Sequence, residues 1–315
     1  MRRIYKLGGG DTMLYSFEAE TEVKAPLLIT HFVGGTDAGK AGSIAIDQLL
    51  ASLPGKRIAT FNTDELLDYS TQRPTVTIDE WQVVEVSSPE IVLDLIHDDS
   101  GTPILILHGP EPSLKWKTFT KEVTALAKNA GVELVISMKG MPASIPHTRG
   151  PLVHLQASDP ELVKNQPPMG RPMDFPASMN TFLAYALNQE GIESISFLVT
   201  VPFYLSAATY TQGGLALLNR VAQLLDVRLP IGNLEEVNDV PIAEIPGNVV
   251  ETEELATLLR SLEQHYDEQV FPAMLDNPDT LASLSDTFLH EQDIDVDALA
   301  ETIEKFLERA EEEEN

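Results

Sequence analysis

The sequence predicts a doubly wound α/β core in residues 1–245, followed by an acidic helical appendage in residues 246–315. In the first part, short β-branched runs alternate with amphipathic helical patterns, which is typical of a mostly parallel sheet covered by helices. Beyond about residue 250 only helical patterns remain, with Glu on the faces that are not apolar. A glycine-rich turn between the first buried strand and the first helix is the third observation that favours a βα architecture.

The first βα unit is the clearest. LLITHFV (27–33) is apolar on both faces, as a central strand should be. The turn GGTDAGKAG (34–42) follows, and then SIAIDQLLASL (43–53) has its apolar residues at helical spacing. RIATF (57–61) predicts the next strand, and the alternating VTIDEWQVVEV (76–86) indicates an antiparallel excursion.

The rest of the core continues the same alternation, except for one long connection. Residues 139–180 contain eight of the 21 prolines. We expect them to form a connection without regular structure, which is usually functional when it is ordered. The other predicted strands are 103–109, 133–138 and 194–201, and the other predicted helices are 89–97, 113–130, 178–190, 214–227, 251–270 and 298–314.

Charge and composition exclude several classes of function. The chain has 49 acidic and 21 basic residues, a net charge of −28 and a pI near 4.4. Such a surface repels nucleic acids and anionic lipids, because phosphate binding needs Lys and Arg. Residues 251–315 hold 20 acids and 3 bases. With no cysteine, the chain has no disulfide, thiolate metal site or cysteine nucleophile.

No segment indicates a membrane span or a signal peptide. The most apolar stretch, residues 195–208, is only about 14 residues long and contains a proline, which suits a buried strand better than a bilayer span. The N-terminal MRRIYKLGGG has no apolar region behind its arginines. We therefore expect a cytoplasmic protein that contacts neither membrane nor nucleic acid.

The glycine-rich turn resembles a phosphate-binding loop but lacks one group. Gly34-x4-Gly39-Lys40 is followed by Ala41, where the Ser or Thr that binds magnesium would stand. One interpretation is a turn that lets a helix pack close to the sheet. The other is an anion or ligand site at the helix N-terminus, where free N–H groups and the helix dipole attract negative charge. Its candidate residues are Gly34, Gly35, Asp37, Gly39 and Lys40.

A second candidate lies in the proline-rich connection. His147, Thr148 and Arg149 follow a predicted strand, so they belong to the carboxyl edge of the sheet, where open α/β sheets bind ligands. These donors could hold a carboxylate or a phosphate. Alternatively, they tie down a long loop through backbone carbonyl groups. If the two segments line one cleft, Arg149 should reach the glycine-rich turn or an anion bound there.

No recognisable catalytic or metal-binding pattern appears elsewhere. The seven histidines show no HExxH or paired metal spacing, and there is no GxSxG elbow. Asp293, Asp295 and Asp297 mimic a calcium loop, but Ala298 stands where glycine is required, so a helix N-terminus is favoured. We expect no cofactor and no metal, and the residues alone do not establish an enzyme.

Several segments together resemble the PAC2 family, the proteasome assembly chaperone 2-like proteins. In chain order they are G-G-T-D-A-G (34–39), R-P (73–74), G-P-E-P-x3-W (109–116), H-T-R (147–149) and V-P-F-Y (201–204). The resemblance implies a three-layer fold similar to that of nucleoside phosphorylases, homo-oligomerisation, for instance as a trimer, and assembly-chaperone or protein-binding function. It also implies an alternative, since some members are labelled as possible ATP-dependent carboligases.

Two further expectations concern partners. Because a charge of −28 opposes self-association, the interface of a homo-oligomer must be locally apolar. We expect Phe203, Tyr204, Met173 and Phe175 to contribute to it. Relatives that dock on proteasome rings often end in hydrophobic-Tyr-X, whereas this sequence ends in Glu-Glu-Asn, so we do not expect docking by that tail. A small-anion or nucleoside binder without turnover is a third possibility.

Overall fold

Eight of the ten strands form one sheet in the computed structural model, which describes residues 13–18, 23–34, 37–164, 166, 172–225, 227–230, 232–235 and 253–270. The strands are β1 Tyr15–Phe17, β2 Leu27–Val33, β3 Gly55–Phe61, β4 Thr75–Asp79, β5 Gln82–Ser87, β6 Val92–His97, β7 Pro103–Pro110, β8 Leu134–Ala143, β9 Val153–Ala157 and β10 Glu193–Pro202. The helices are α1 Ala41–Ser52, α2 Thr63–Leu66, α3 Trp116–Ala130, α4 Met179–Gln189, α5 Thr211–Leu225 and α6 Glu253–His265.

The large sheet is mixed, in the order β1-β3-β6-β7-β2-β8-β10-β9. Its four central strands β7, β2, β8 and β10 are parallel. The outer strands pair antiparallel on both sides. The expectation of an α/β core is confirmed, but a mostly parallel sheet was wrong, because four of the seven strand pairs are antiparallel.

Helices cover both faces of the sheet. On one face α1 and α5 pack through residues such as Leu49 and Leu217, which are fully buried. On the other face α3 and α4 pack through residues such as Phe119 and Leu183. The central strands are apolar on both sides because each face is covered by a helix layer.

Two local predictions were wrong. Residues 89–97 were expected to form a helix, but they contain β6, which pairs between β3 and β7. A short apolar run has no periodicity that separates a buried strand from a buried helix. The predicted irregular connection at 139–180 also contains regular structure, since β8 continues to Ala143 and β9 adds an antiparallel edge strand.

The predicted antiparallel excursion is confirmed as the hairpin β4–β5, which we call the arm. Every residue of its two strands is exposed. Val76, Ile78 and Val86 lie on one face of the arm, and Thr75 and Thr77 lie on the other. At its turn Glu80 and Trp81 have positive φ values of 41° and 69°, and the Trp81 side chain is 99% exposed.

The C-terminal part that the structure describes is helical, as predicted for residues 251–270. Helix α6 is followed by a π-helical turn, Tyr266–Val270, and Leu262 and Tyr266 are buried against the core. The helix predicted at 298–314 and the Asp293 motif lie outside the described residues. Among the described helices none combines the length and apolar character needed to cross a bilayer.

Candidate functional site at the carboxyl edge of the sheet

The glycine-rich turn brings the Asp37 carboxylate to the N-terminus of α1. Its Oδ1 accepts hydrogen bonds from the backbone N–H groups of Gly42 (2.9 Å) and Gly140 (2.8 Å). Its Oδ2 accepts from the N–H and the hydroxyl of Ser43, both at 3.0 Å. The Asp37 side chain is only 12% exposed. The chain's own carboxylate therefore occupies the position that an anion takes at a helix N-terminus.

Two glycines let the turn approach its neighbours closely. Gly39 has a φ of +62°, and a Cβ there would lie 2.6 Å from the Cβ of Tyr210. At Gly140 in β8, a Cβ would lie 1.9 Å from the carbonyl oxygen of Ala38. The backbones of the turn, β8 and the segment before α5 can pack this tightly only without side chains. These contacts favour the close-packing interpretation of the turn.

The other predicted residues of the turn that the structure describes, Gly34 and Lys40, make no hydrogen bond to the Asp37 carboxylate. Lys40 is exposed, with a left-handed backbone (φ 52°), and makes no ion pair with the described residues. Gly34 is exposed and has a φ of +128°. A Cβ added there would lie near Glu111 and Gln72, not near Asp37. Gly35 lies outside the described residues. Of the five candidates in the turn, Asp37, Gly39 and Lys40 lie at the N-terminus of α1, and Lys40 is its N-cap residue with an exposed side chain.

A buried histidine, not anticipated from the sequence, lies behind this carboxylate. His31 Nε2 lies 3.0 Å from Ser43 Oγ, and since that hydroxyl donates to Asp37, Nε2–H donates to Ser43. Burial lowers the pKa of His31, and the nearby Asp37 opposes this shift. Lys139, on β8, also has its pKa lowered by burial, again opposed by Asp37. The only sequence signal for these two residues was a polar side chain within a largely apolar strand, His31 in β2 and Lys139 in β8.

A second helix N-terminus at this edge is closed in the same way. Glu111 Oε1 accepts a 2.6 Å hydrogen bond from the N–H of Met179, the first residue of α4. The Trp116 indole donates to the Pro112 carbonyl and packs edge-to-face against Phe182 of α4. The G-P-E-P-x3-W segment therefore fixes α3 and α4 to each other.

The loop after β8 places His147 against a buried tyrosine. The Tyr204 hydroxyl accepts from the His147 N–H (2.8 Å) and lies 2.9 Å from His147 Nδ1. Burial lowers the pKa of His147 and raises that of Tyr204. The His147 ring is thereby held neutral, with Nδ1 as the acceptor, so this side chain orders the loop.

Thr148 and Arg149 bind carboxylates, but those of α6 and the turn after it. The Thr148 hydroxyl donates to Glu263 at 2.5 Å. Arg149 donates twice to Asp267, from Nε at 2.7 Å and from Nη2 at 2.5 Å. The hydrogen bond raises the pKa of Arg149 and lowers that of Asp267. A Tyr266 hydroxyl bond of 2.7 Å to the Gly150 carbonyl completes the contact.

The two predicted segments lie at the same edge of the sheet, but among the described residues no hydrogen bond or ion pair of residues 147–149 reaches the glycine-rich turn. They are joined through the turn that follows β10. Tyr204 in this turn binds His147, and the Ser206 carbonyl accepts from the Gly39 N–H at 2.8 Å. Among the described contacts of Arg149, all go to Thr148 or to α6 and its following turn, and none goes to the glycine-rich turn.

The residues expected at an interface divide into two groups. Tyr204 is 4% exposed and belongs to the α1–α5 core, and Phe203 packs beside it as a partly buried side chain. Because Tyr204 packs inside the monomer, its side chain is not available for contact with another molecule. Met173 and Phe175 are 50% and 66% exposed.

The described residues offer no metal centre. Within the ranges that the structure describes, no group of three or more His, Asp or Glu side chains is placed to hold a metal ion. At the carboxyl edge, the acidic side chains of Asp37 and Glu111 are engaged by backbone N–H groups instead. The site consists of ordered loops around two helix N-termini.

Comparison with known proteins identifies the family. The PAC2 family pattern matches residues 31–239. A Mycobacterium tuberculosis protein of unknown function is 32% identical (TM-score 0.76), covering 88% of this chain and 96% of that protein. A Corynebacterium glutamicum protein of unknown function is also 32% identical (TM-score 0.74), covering 81% and 97%.

A third solved structure carries a functional description. The M. tuberculosis proteasome-assembly chaperone homologue is 25% identical (TM-score 0.65), and the match covers 74% of this chain and 99% of that protein. No curated protein sequence matches significantly. Because the family pattern spans more than half of the 315 residues, the resemblance noted in the sequence is confirmed, and the chain belongs to the PAC2 family.

Proposed function

We propose that the chain is a cytoplasmic, homo-oligomeric PAC2-family protein that binds other proteins, in the manner of an assembly chaperone. The observation that carries this proposal is the arm. A two-stranded hairpin is at best marginally stable in water, and this one extends from the core with both strands exposed. Exposed contiguous apolar surface marks sites of protein interaction.

The apolar face of the arm has the composition of an interface core. Val76 is 50% exposed, Ile78 62% and Val86 60%. No charged side chain lies on this face, whereas Glu85 pairs with Thr77 on the opposite face. Depletion of charge at an apolar centre is typical of protein interfaces. Trp81 adds an exposed aromatic ring at the tip, on a left-handed backbone that is strained for such a residue.

A second copy of the chain is the occupant that we propose for this face. In a closed symmetric assembly every copy buries the same surface, so none leaves its arm exposed. The charge of −28 per chain favours contact through a segment whose contact face lacks acids. Met173 and Phe175 are also exposed and are proposed as further contact residues, whereas Tyr204 is buried in the monomer and is not.

The ligand-binding alternatives have less support. An ATP-dependent carboligase must bind phosphates and magnesium, but the N–H groups at the start of α1 already hold Asp37 and the start of α4 holds Glu111. In the described residues no specific observation favours a carboligase or a nucleoside binder. The α/β fold therefore serves, in this proposal, as a scaffold for protein binding.

The proposed partners follow from one relative. The M. tuberculosis homologue is named as a proteasome-assembly chaperone homologue, and it matches 74% of this chain. We propose that partners of this chain are of the same class. Co-sedimentation with purified proteasome subunits from the same organism is the corresponding test, and a complex of defined stoichiometry is expected.

The homo-oligomer can be tested with two neighbouring substitutions. Val76→Glu places a charge on the apolar face of the arm, and Thr75→Glu places the same charge on the other face one residue earlier. We expect light scattering to show an oligomer for the wild type and for Thr75→Glu, and a dissociated protein for Val76→Glu. At low protein concentration the three proteins should have the same melting curve, which shows that neither substitution unfolds the chain. A wild-type monomer at micromolar concentration would refute the proposal, as would equal masses for the two variants.

A further inference from the structure

The contact between α6 and the core joins donors on one side to acceptors on the other. The core supplies Thr148 and Arg149, and the C-terminal segment supplies the carboxylates of Glu263 and Asp267. These two acids are four residues apart, so they project from one side of the same helical segment. The donors of this loop are suited to an anion, and in the structure they hold two anionic side chains.

The strength of this contact is modest. The side chains of Arg149 and Asp267 are 33% and 50% exposed, so solvent screens their attraction, but two parallel hydrogen bonds make this pair stronger than an ordinary surface ion pair. The buried apolar part consists mainly of Leu262 and Tyr266.

We propose that the Thr148–Arg149 loop is a docking site for an acidic helix of a partner protein, and that α6 occupies this site as an internal competitor. The proposal rests on the protein-binding function proposed above and adds the class of partner segment. The partner helix carries a Glu, a Tyr and an Asp in the spacing of Glu263, Tyr266 and Asp267.

A helix fits the site better than a small anion does. A phosphate or a free carboxylate could satisfy the Arg149 guanidinium. It would leave the Gly150 carbonyl, which accepts a 2.7 Å bond from the Tyr266 hydroxyl, without its donor. It would also leave empty the apolar recess that Leu262 fills, where that side chain is 3% exposed.

The test uses a fluorescent synthetic peptide of residues 253–270 and the full chain. Wild-type protein should bind it weakly, because α6 already fills the site. Releasing α6 with the double substitution Glu263→Gln/Asp267→Asn should strengthen binding by about tenfold or more, since apparent affinity scales with the fraction of free sites. Adding Arg149→Met to that protein should abolish the gain. Lys121→Met, an exposed change on α3, is the matched control and should leave the gain intact.

Three results would overturn the inference. The first is equal peptide affinity for the wild type and the Glu263→Gln/Asp267→Asn protein, when melting curves show both to be folded. The second is binding that survives Arg149→Met. The third is binding that is unchanged when the peptide itself carries the two substitutions. Light scattering on the same samples distinguishes failure of the docking site from failure of the proposed oligomer. An intact oligomer that binds no peptide refutes only the docking site. A monomer that binds the peptide refutes only the oligomer.

Discussion

Removal of the Asp37 carboxylate should destabilise the core strongly. In Asp37→Ala, the backbone N–H groups of Gly42, Ser43 and Gly140 lose their acceptor at a site where the Asp37 side chain is 12% exposed. Leaving a buried donor unsatisfied costs about 1–3 kcal/mol. Since water can reach part of this site, we expect a total near the low end, about 3 kcal/mol. That corresponds to a fall in Tm of about 5 °C for 315 residues, because the unfolding entropy is about 2.1 cal/mol/K per residue.

Thermal and urea unfolding followed by circular dichroism measure this effect, with Asp37→Asn as the control that keeps an acceptor and should lose less. A vacated helix N-terminus attracts anions, so sulfate should raise the Tm of Asp37→Ala more than that of the wild type. Sodium chloride at equal ionic strength controls for screening. A loss below about 1 kcal/mol for Asp37→Ala, less than one unsatisfied donor is worth, would refute the reasoning.

Two more substitutions test the packing around this turn. Gly140→Ala should prevent stable folding or lower the Tm sharply, because its Cβ would lie 1.9 Å from a backbone oxygen. Gly150→Ala is the control and should change the Tm little, because a Cβ there meets nothing within 4 Å. Similar melting curves for the two variants would contradict this reasoning. Burial lowers the pKa of His31, so the imidazole of the unfolded chain binds a proton more readily than that of the folded chain. The stability that depends on the neutral ring is therefore complete above about pH 6.5 and is lost as the pH falls below that value. Unfolding free energy measured against pH should therefore fall less steeply on the acid side for His31→Gln than for the wild type, and parallel curves would count against the buried neutral histidine.

The βα core was predictable because its signals are local. The apolar run of β2, the turn after it and the stripe of α1 are contiguous in sequence, and each has one dominant periodicity. The segment containing β6 was not predictable in the same way. Its apolar residues fit a strand or a helix equally well, and only pairing with β3 and β7 selects the strand.

The candidate site was predicted in position but not in its bonds. The carboxyl edge follows from the βα order, and both Asp37 and Arg149 do lie there. However, Asp37 binds Gly140, which is 103 residues away, and Arg149 binds Asp267, which is 118 residues away. No periodicity or spacing in the sequence links positions so distant, so it could not show that the anion sites are filled by the chain's own carboxylates.

Hydrogen exchange in the arm tests the central claim most directly. In an isolated monomer, residues 75–87 form a two-stranded hairpin with no covering layer, and its amides should exchange almost as fast as those of an unfolded chain. If the apolar face is covered by a second copy, these amides are protected at tens of micromolar protein, and protection declines on dilution or with Val76→Glu but not with Thr75→Glu. Rapid exchange of residues 75–87 at every concentration, while the core strands stay protected, would contradict the account.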